Sequence, residues 1–146
     1  MAVTLWESDP LVHVTYRLTL RYRSFPPRSA SAPAVAVRIS ARHGALDTLA
    51  LLDSGAEFSL FDGVHADALG LPLQEGQPMR FWGLAGGQVL AYIHDVQLEI
   101  EDYRFHCPVA FSESHLGRNV IGRNFFDLVQ VGFREHQGEI YLDPSP

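Results

Sequence analysis

Apolar and polar residues alternate without a break over residues 12–23. Val12, Val14, Tyr16, Leu18, Leu20 and Tyr22 fall on one face, and His13, Thr15, Arg17, Thr19, Arg21 and Arg23 on the other. A period of two predicts one long, half-buried strand whose basic face is solvated. Residues 24–33 hold three prolines and show no period, so they read as a linker or exposed connection. Short apolar segments then follow closely: 35–39 and 48–52 read as strands, and 57–61 as a strand leaving a turn. Asp62 is placed to cap a short helix over 64–69 that Gly70 closes. Val96, Leu98 and Ile100 alternate with Gln97, Glu99 and Glu101, a further strand is expected over 105–111, and 129–134 with 139–142 form a closing hairpin around Gln137 and Gly138.

This pattern predicts an all-β chain with one or two short helices. A small closed β-barrel leaves the fewest strand edges unpaired. The expected organisation is an N-terminal strand and Pro-rich linker over 1–33, then a single domain over 34–146. With 146 residues, 47% of them hydrophobic, the chain can bury one core.

Composition narrows the chemistry. No apolar run approaches the ~20 residues of a bilayer span, and the first residues lack the basic start and apolar core of a signal peptide. Cys107 is the single cysteine, so no internal disulfide can form, and a reducing, cytoplasmic setting is expected. All 11 basic residues are arginine, which excludes a lysine Schiff base and a P-loop lysine. The net charge of -6 argues against nucleic acid as a partner. It is uneven, since residues 1–33 carry four arginines against Glu7 and Asp9. The seven histidines show no metal-ligand spacing, and His106 and Cys107, being adjacent, point to opposite faces of a strand. No metal and no cofactor is expected.

The candidate chemistry lies at Asp53-Ser54-Gly55, directly after the apolar run Leu49-Ala50-Leu51-Leu52. A carboxylate activates water, a neighbouring hydroxyl locks the loop, and glycine lets backbone approach a substrate. Taken alone, the tripeptide reads equally well as an Asx-type turn after a strand. Downstream, Asn119-Val120-Ile121-Gly122-Arg123-Asn124-Phe125-Phe126 gives two β-branched residues, a glycine and a helix start, with Asn119 as a turn residue. Between the two, residues 80–92 contain Gly83, Gly86 and Gly87 among apolar residues, as in a mobile hairpin.

Motifs of these kinds in this order resemble the retropepsins, the retroviral-type aspartic proteases and their bacterial single-domain relatives, over roughly residues 34–143. The resemblance implies an aspartic endopeptidase cutting peptide or protein substrates. It implies that Asp53, Ser54 and Gly55 are catalytic, and that Val120, Ile121, Gly122 and Arg123 brace the catalytic turn from behind. Ala56 and Glu57, with the flap residues Trp82, Gly83, Leu84, Ala85, Gly86 and Gly87, would bind substrate. Arg123 would pair with Glu57, where the family more often has aspartate.

The chemistry needs two carboxylates in one site, and the motif occurs once here. An active enzyme must therefore be a two-fold homodimer with one Asp53 from each subunit. The strand over 12–23 and the C-terminal hairpin are the expected interface elements, because the arginines of one oppose Glu135, Glu139 and Asp143 of the other. The alternative is a non-catalytic peptide- or partner-binding dimer on the same fold. A barrel that binds a small apolar ligand is a further alternative.

Overall fold

The computed structural model describes residues 2–6, 11–26, 28–83 and 86–144. It opens with two antiparallel strands, β1 (Ala2–Trp6) and β2 (Leu11–Thr15). β3 (Leu18–Arg21) and β4 (Arg23–Phe25) follow, and β4 pairs with β5 (Arg28–Ala32). The single strand expected over 12–23 is thus broken twice. Tyr16 sits at the first break with its ring buried against Tyr141, centroids 5.7 Å apart. Tertiary packing there outweighs local alternation. The Pro-rich stretch is no bare connection either, because it supplies much of the β4–β5 hairpin and buries Phe25.

β6 (Ala34–Ala41) and β7 (Gly44–Leu52) pair antiparallel along their whole length. After β8 (Leu60–Phe61) and a one-turn helix, α1 (Val64–Ala68), the hairpin of β9 (Gln77–Trp82) and β10 (Gln88–Ile100) leads into β11 (Tyr103–Ser112). β12 (Val120–Ile121), α2 (Arg123–Phe126) and the hairpin of β13 (Gln130–Arg134) and β14 (Glu139–Asp143) complete the chain. The strand expected over 57–61 shrinks to two residues, because the Ala56 backbone and the Ser59 N–H are engaged by the turn and its brace.

β6, β7, β12, β8, β11 and β10 are hydrogen-bonded in that order and close into a ring. This is the small all-β barrel that the pattern predicts. Alternate residues fill it: Val35, Val37 and Ile39 from β6, Ala50 and Leu52 from β7, Val96, Leu98 and Ile100 from β10. Phe125 of α2 meets Phe105 edge-on at 5.0 Å, so the helix after β12 is anchored in the same core. Burying such side chains is worth about 1.5–3 kcal/mol each. β9 lies outside the ring and, among the described residues, pairs only with β10.

β13, β14 and β3 form a separate three-stranded sheet with β14 in the middle. The N-terminal segment therefore meets the C-terminal hairpin within one chain. Arg17 lies 3.8 Å from Asp143, and the Tyr22 hydroxyl donates to Glu135 at 2.6 Å. The charge match expected to join two subunits is at least partly used inside one. Among the described residues no helix is long and apolar enough to cross a membrane.

Candidate active site

β12 runs parallel to the end of β7 and sets where that strand stops. The Leu51 N–H donates to Asn119 O at 2.9 Å and the Asp53 N–H to Ile121 O at 3.0 Å. Beyond Asp53 the chain turns. The Ala56 N–H returns to Asp53 O at 3.2 Å, and the Gly55 N–H donates to the Asp53 carboxylate at 2.8 Å. Asp53 is half-buried, whereas Ser54 and Gly55 are exposed. A carboxylate held by one backbone donor at an open turn is available to a substrate water.

The turn is fixed from behind by polar groups inside the barrel. Ser59 is fully buried. Its hydroxyl accepts from the Gly122 N–H at 3.0 Å and donates to Asn124 Oδ1 at 2.8 Å. The same Asn124 oxygen accepts the Ser59 N–H at 2.8 Å, while Asn124 Nδ2 donates to Pro108 O at 2.8 Å. Gly122 crosses so closely that a Cβ there would stand 2.7 Å from the carbonyl oxygens of Ala56 and Phe58. Only glycine permits that crossing. Val120 and Ile121 serve as the strand part of this brace.

The Glu57–Arg123 pair is not formed. Both side chains are exposed, and no ion pair joins them among the described residues. Arg123 contributes its backbone instead, its N–H donating to Ala56 O at 2.8 Å. Two solvated charges gain little from meeting, so nothing compels the contact.

A second polar network lies upstream. Asn119 is no mere turn residue. It is 3% exposed, its Oδ1 accepts the Asp62 N–H at 3.0 Å, and its Nδ2 donates to Thr48 Oγ1 and Leu49 O, both at 3.0 Å. The N-cap of α1 is Gly63 rather than Asp62, and Asp62, one residue earlier, accepts the Val64 N–H at 3.0 Å and does more. Its other oxygen accepts the N–H groups of Leu116 at 2.9 Å and Gly117 at 2.8 Å, with His115 Nδ1 at 2.7 Å. Burial alone would push this carboxyl up, but the Val64, Gly117 and Leu116 donors and the His115 ring outweigh it and hold it below its usual range. Cys107, buried on β11 with exposed His106 beside it, lies under Asn124. Burial pushes its thiol up to about 11, with Ser59 and Asn124 opposing the rise. A buried thiol held in this way is a poor nucleophile.

The flap candidates occupy the tip of the β9–β10 hairpin, where Trp82 pairs with Gln88. The Gly83 N–H donates to Gly87 O at 2.9 Å and the Gly86 N–H to Gly83 O at 3.0 Å. Gly86 has φ +82°, a conformation that favours glycine. Trp82 is 74% exposed. Leu84 and Ala85 lie outside the described residues.

Sequence reasoning missed Ser59, Asn119 and Asn124 as supports, and gave Asp62 only part of its role. The available signal was a polar residue inside an apolar segment, such as Ser59 between Phe58 and Leu60.

No curated protein matches this chain. A family model described as aspartyl protease matches residues 35–125, a stretch that takes in the Asp53 turn, the β9–β10 hairpin and the Gly122 crossing. The chain belongs to this aspartyl protease family, which is of the retropepsin-like clan.

Proposed function

We propose that the protein is an aspartic endopeptidase that works as a symmetric homodimer, with the two Asp53 carboxylates, one per subunit, sharing one site. The observation that carries this reading is the Asp53 turn itself. One carboxylate oxygen is fixed by Gly55, the other accepts no hydrogen bond among the described residues, and the turn is open to solvent. Two carboxylates brought together hold a single proton between them. The ionised Asp53 takes a proton from water as the water oxygen attacks the peptide carbonyl carbon, and its partner gives its proton to the carbonyl oxygen. When the gem-diol intermediate collapses, the protonated carboxyl gives its proton to the leaving nitrogen, the ionised carboxylate takes a proton from a gem-diol hydroxyl, the C–N bond breaks, and the dyad is left with one proton again. No covalent enzyme intermediate forms.

Ser54 would hydrogen-bond across the two-fold axis to the other catalytic turn. Gly55 would offer its carbonyl to substrate backbone. Ala56, Glu57 and the hairpin tip over 82–87 would hold the peptide and exclude water. Of the C-terminal hairpin, β13 keeps an outer edge without a strand partner among the described residues, with Phe133 exposed on it. That edge is the part left for subunit contact. The single buried thiol suits the cytoplasm.

Mixing subunits tests the dyad and the dimer together. Asp53→Asn keeps size but cannot ionise, so a pure variant should fold and cleave no peptide. In equilibrated mixtures the mixed dimers are also dead, and peptidase activity should fall as the square of the wild-type fraction. A linear fall, or activity in the pure variant, would overturn the shared site.

A further inference from the structure

The β9–β10 hairpin has two unlike faces. Its register runs without a shift from Gln77 opposite Ile93 to Trp82 opposite Gln88, so alternate residues stay on one side throughout. On one side Met79, Phe81 and Val89 are half-buried and Ala91 is buried. The other side carries Arg80 and Trp82 from β9 with Gln88 and Leu90 from β10. Along β10 the same alternation leads to His94, whose ring meets buried Phe111 edge-on at 6.0 Å. It then reaches Val96, Leu98 and Ile100 in the core. The Trp82 side is thus the inner face of the barrel continued past its rim, and there Arg80, Trp82 and Gln88 are exposed.

Trp82 leaves 74% of its surface in water, apolar area that a ligand lying on it would cover with a gain in stability. Arg80 stands two residues earlier on the same unbroken strand, roughly 6.6 Å away. Its guanidinium donates to Gln88 Oε1 at 3.2 Å, a neutral acceptor that steadies the group and leaves its charge uncompensated. No residue of this face is acidic on either strand of the hairpin. Glu113 stands one strand beyond Leu90, to whose carbonyl its N–H donates at 2.8 Å. Among the described residues it makes no ion pair with Arg80.

We propose that Arg80 is a specificity-determining residue: the peptide that the hairpin holds carries a carboxylate side chain that meets Arg80, two residues from an apolar or aromatic side chain that lies on Trp82. This rests on the reading of the hairpin as the part of the protease that holds substrate. A two-fold dimer has two such hairpins, so the acidic preference recurs at matched positions on either side of the cut.

The test digests peptides that share one apolar cleavage core and carry glutamate or glutamine at each flanking position in turn, with products read by mass spectrometry. At one matched pair of positions glutamate should raise kcat/KM about tenfold over glutamine, the gap closing as salt is raised. Arg80→Gln should bring that ratio to about one, and Arg80→Glu should favour arginine at the same positions. Arg42→Gln, which removes a charge from the β6–β7 turn, should leave the ratio as it is. Fluorescence anisotropy of the same peptides with the full chain carrying Asp53→Asn reads the selection without the reaction. Cleavage without a glutamate preference, a preference that survives Arg80→Gln, or one lost equally in Arg42→Gln would overturn the assignment of Arg80 and leave the protease reading standing. No cleavage, with a glutamate gap in binding that Arg80→Gln erases, would overturn the protease reading and support Arg80. No cleavage and no gap would overturn both.

Discussion

A Cβ at Gly122, behind Asp53, would press on the carbonyl oxygens of Ala56 and Phe58 at 2.7 Å, whereas one at Gly87, on the hairpin tip, would meet nothing within 4 Å. The catalytic turn needs glycine because the chain is crowded. The hairpin tip has glycine where there is open space. Around the turn, buried Ser59 and Asn119 are hydrogen-bonded, so the segments that carry the turn are held from behind. The tip is held by its own hairpin bonds alone among the described residues, so it can move without disturbing the core. On the proposed function, the turn would hold the carboxylate in place while the tip would admit substrate.

The contrast can be broken most directly at Gly122. Gly122→Ala should cost about 3 kcal/mol in urea unfolding, since backbone must shift to admit the methyl group, and peptidase activity should fall with it. Ser59→Ala comes next, at about 2 kcal/mol, because the buried Gly122 N–H loses its acceptor. Equal stability of Ser59→Ala and wild type would mean that the brace is not fixed by this hydroxyl.

Asp62→Asn should cost about 1–2 kcal/mol at neutral pH, with two of its backbone donors poorly served. It should also change the acid limb of stability. The carboxyl titrates lower in the folded chain than its ordinary 3.8. Its contribution is therefore complete above that value and lost as pH falls through the folded one. Denaturation followed from pH 5 downward should show a steeper loss in wild type than in the variant. The smallest stability effect is expected at Gly87→Ala, within about 0.5 kcal/mol, with turnover changed more than melting. A large loss of stability there would erase the difference between the two regions.

Much of this was legible in the sequence. The run 49–52 delivers Asp53, Val120 and Ile121 form the bracing strand, and the hairpin around 83–87 stands where its glycines put it. These depend on local pattern. What was not legible depends on distant partners. Tyr16 breaks the N-terminal strand by packing on Tyr141, a contact that alternation cannot announce. Phe25 gives the Pro-rich segment a place in the fold. Asn119 looks like any turn residue until Thr48, Leu49 and Asp62 are seen around it. Glu57 and Arg123 show the reverse error, since residues apt for pairing stay apart when solvent serves both.

The side-chain bonds that join Ser59 to Gly122 and Asn124, and Asn119 to Asp62, Thr48 and Leu49, link residues 57 to 71 positions apart. Until Asn124 has left the ribosome, Ser59 has no amide to donate to, and the Asp53 turn has no wall behind it. Contacts of such sequence separation form late, after loop closure has been met by core burial. The site is therefore assembled by the last third of the chain, and a growing polypeptide carries its aspartate through synthesis without the means to use it.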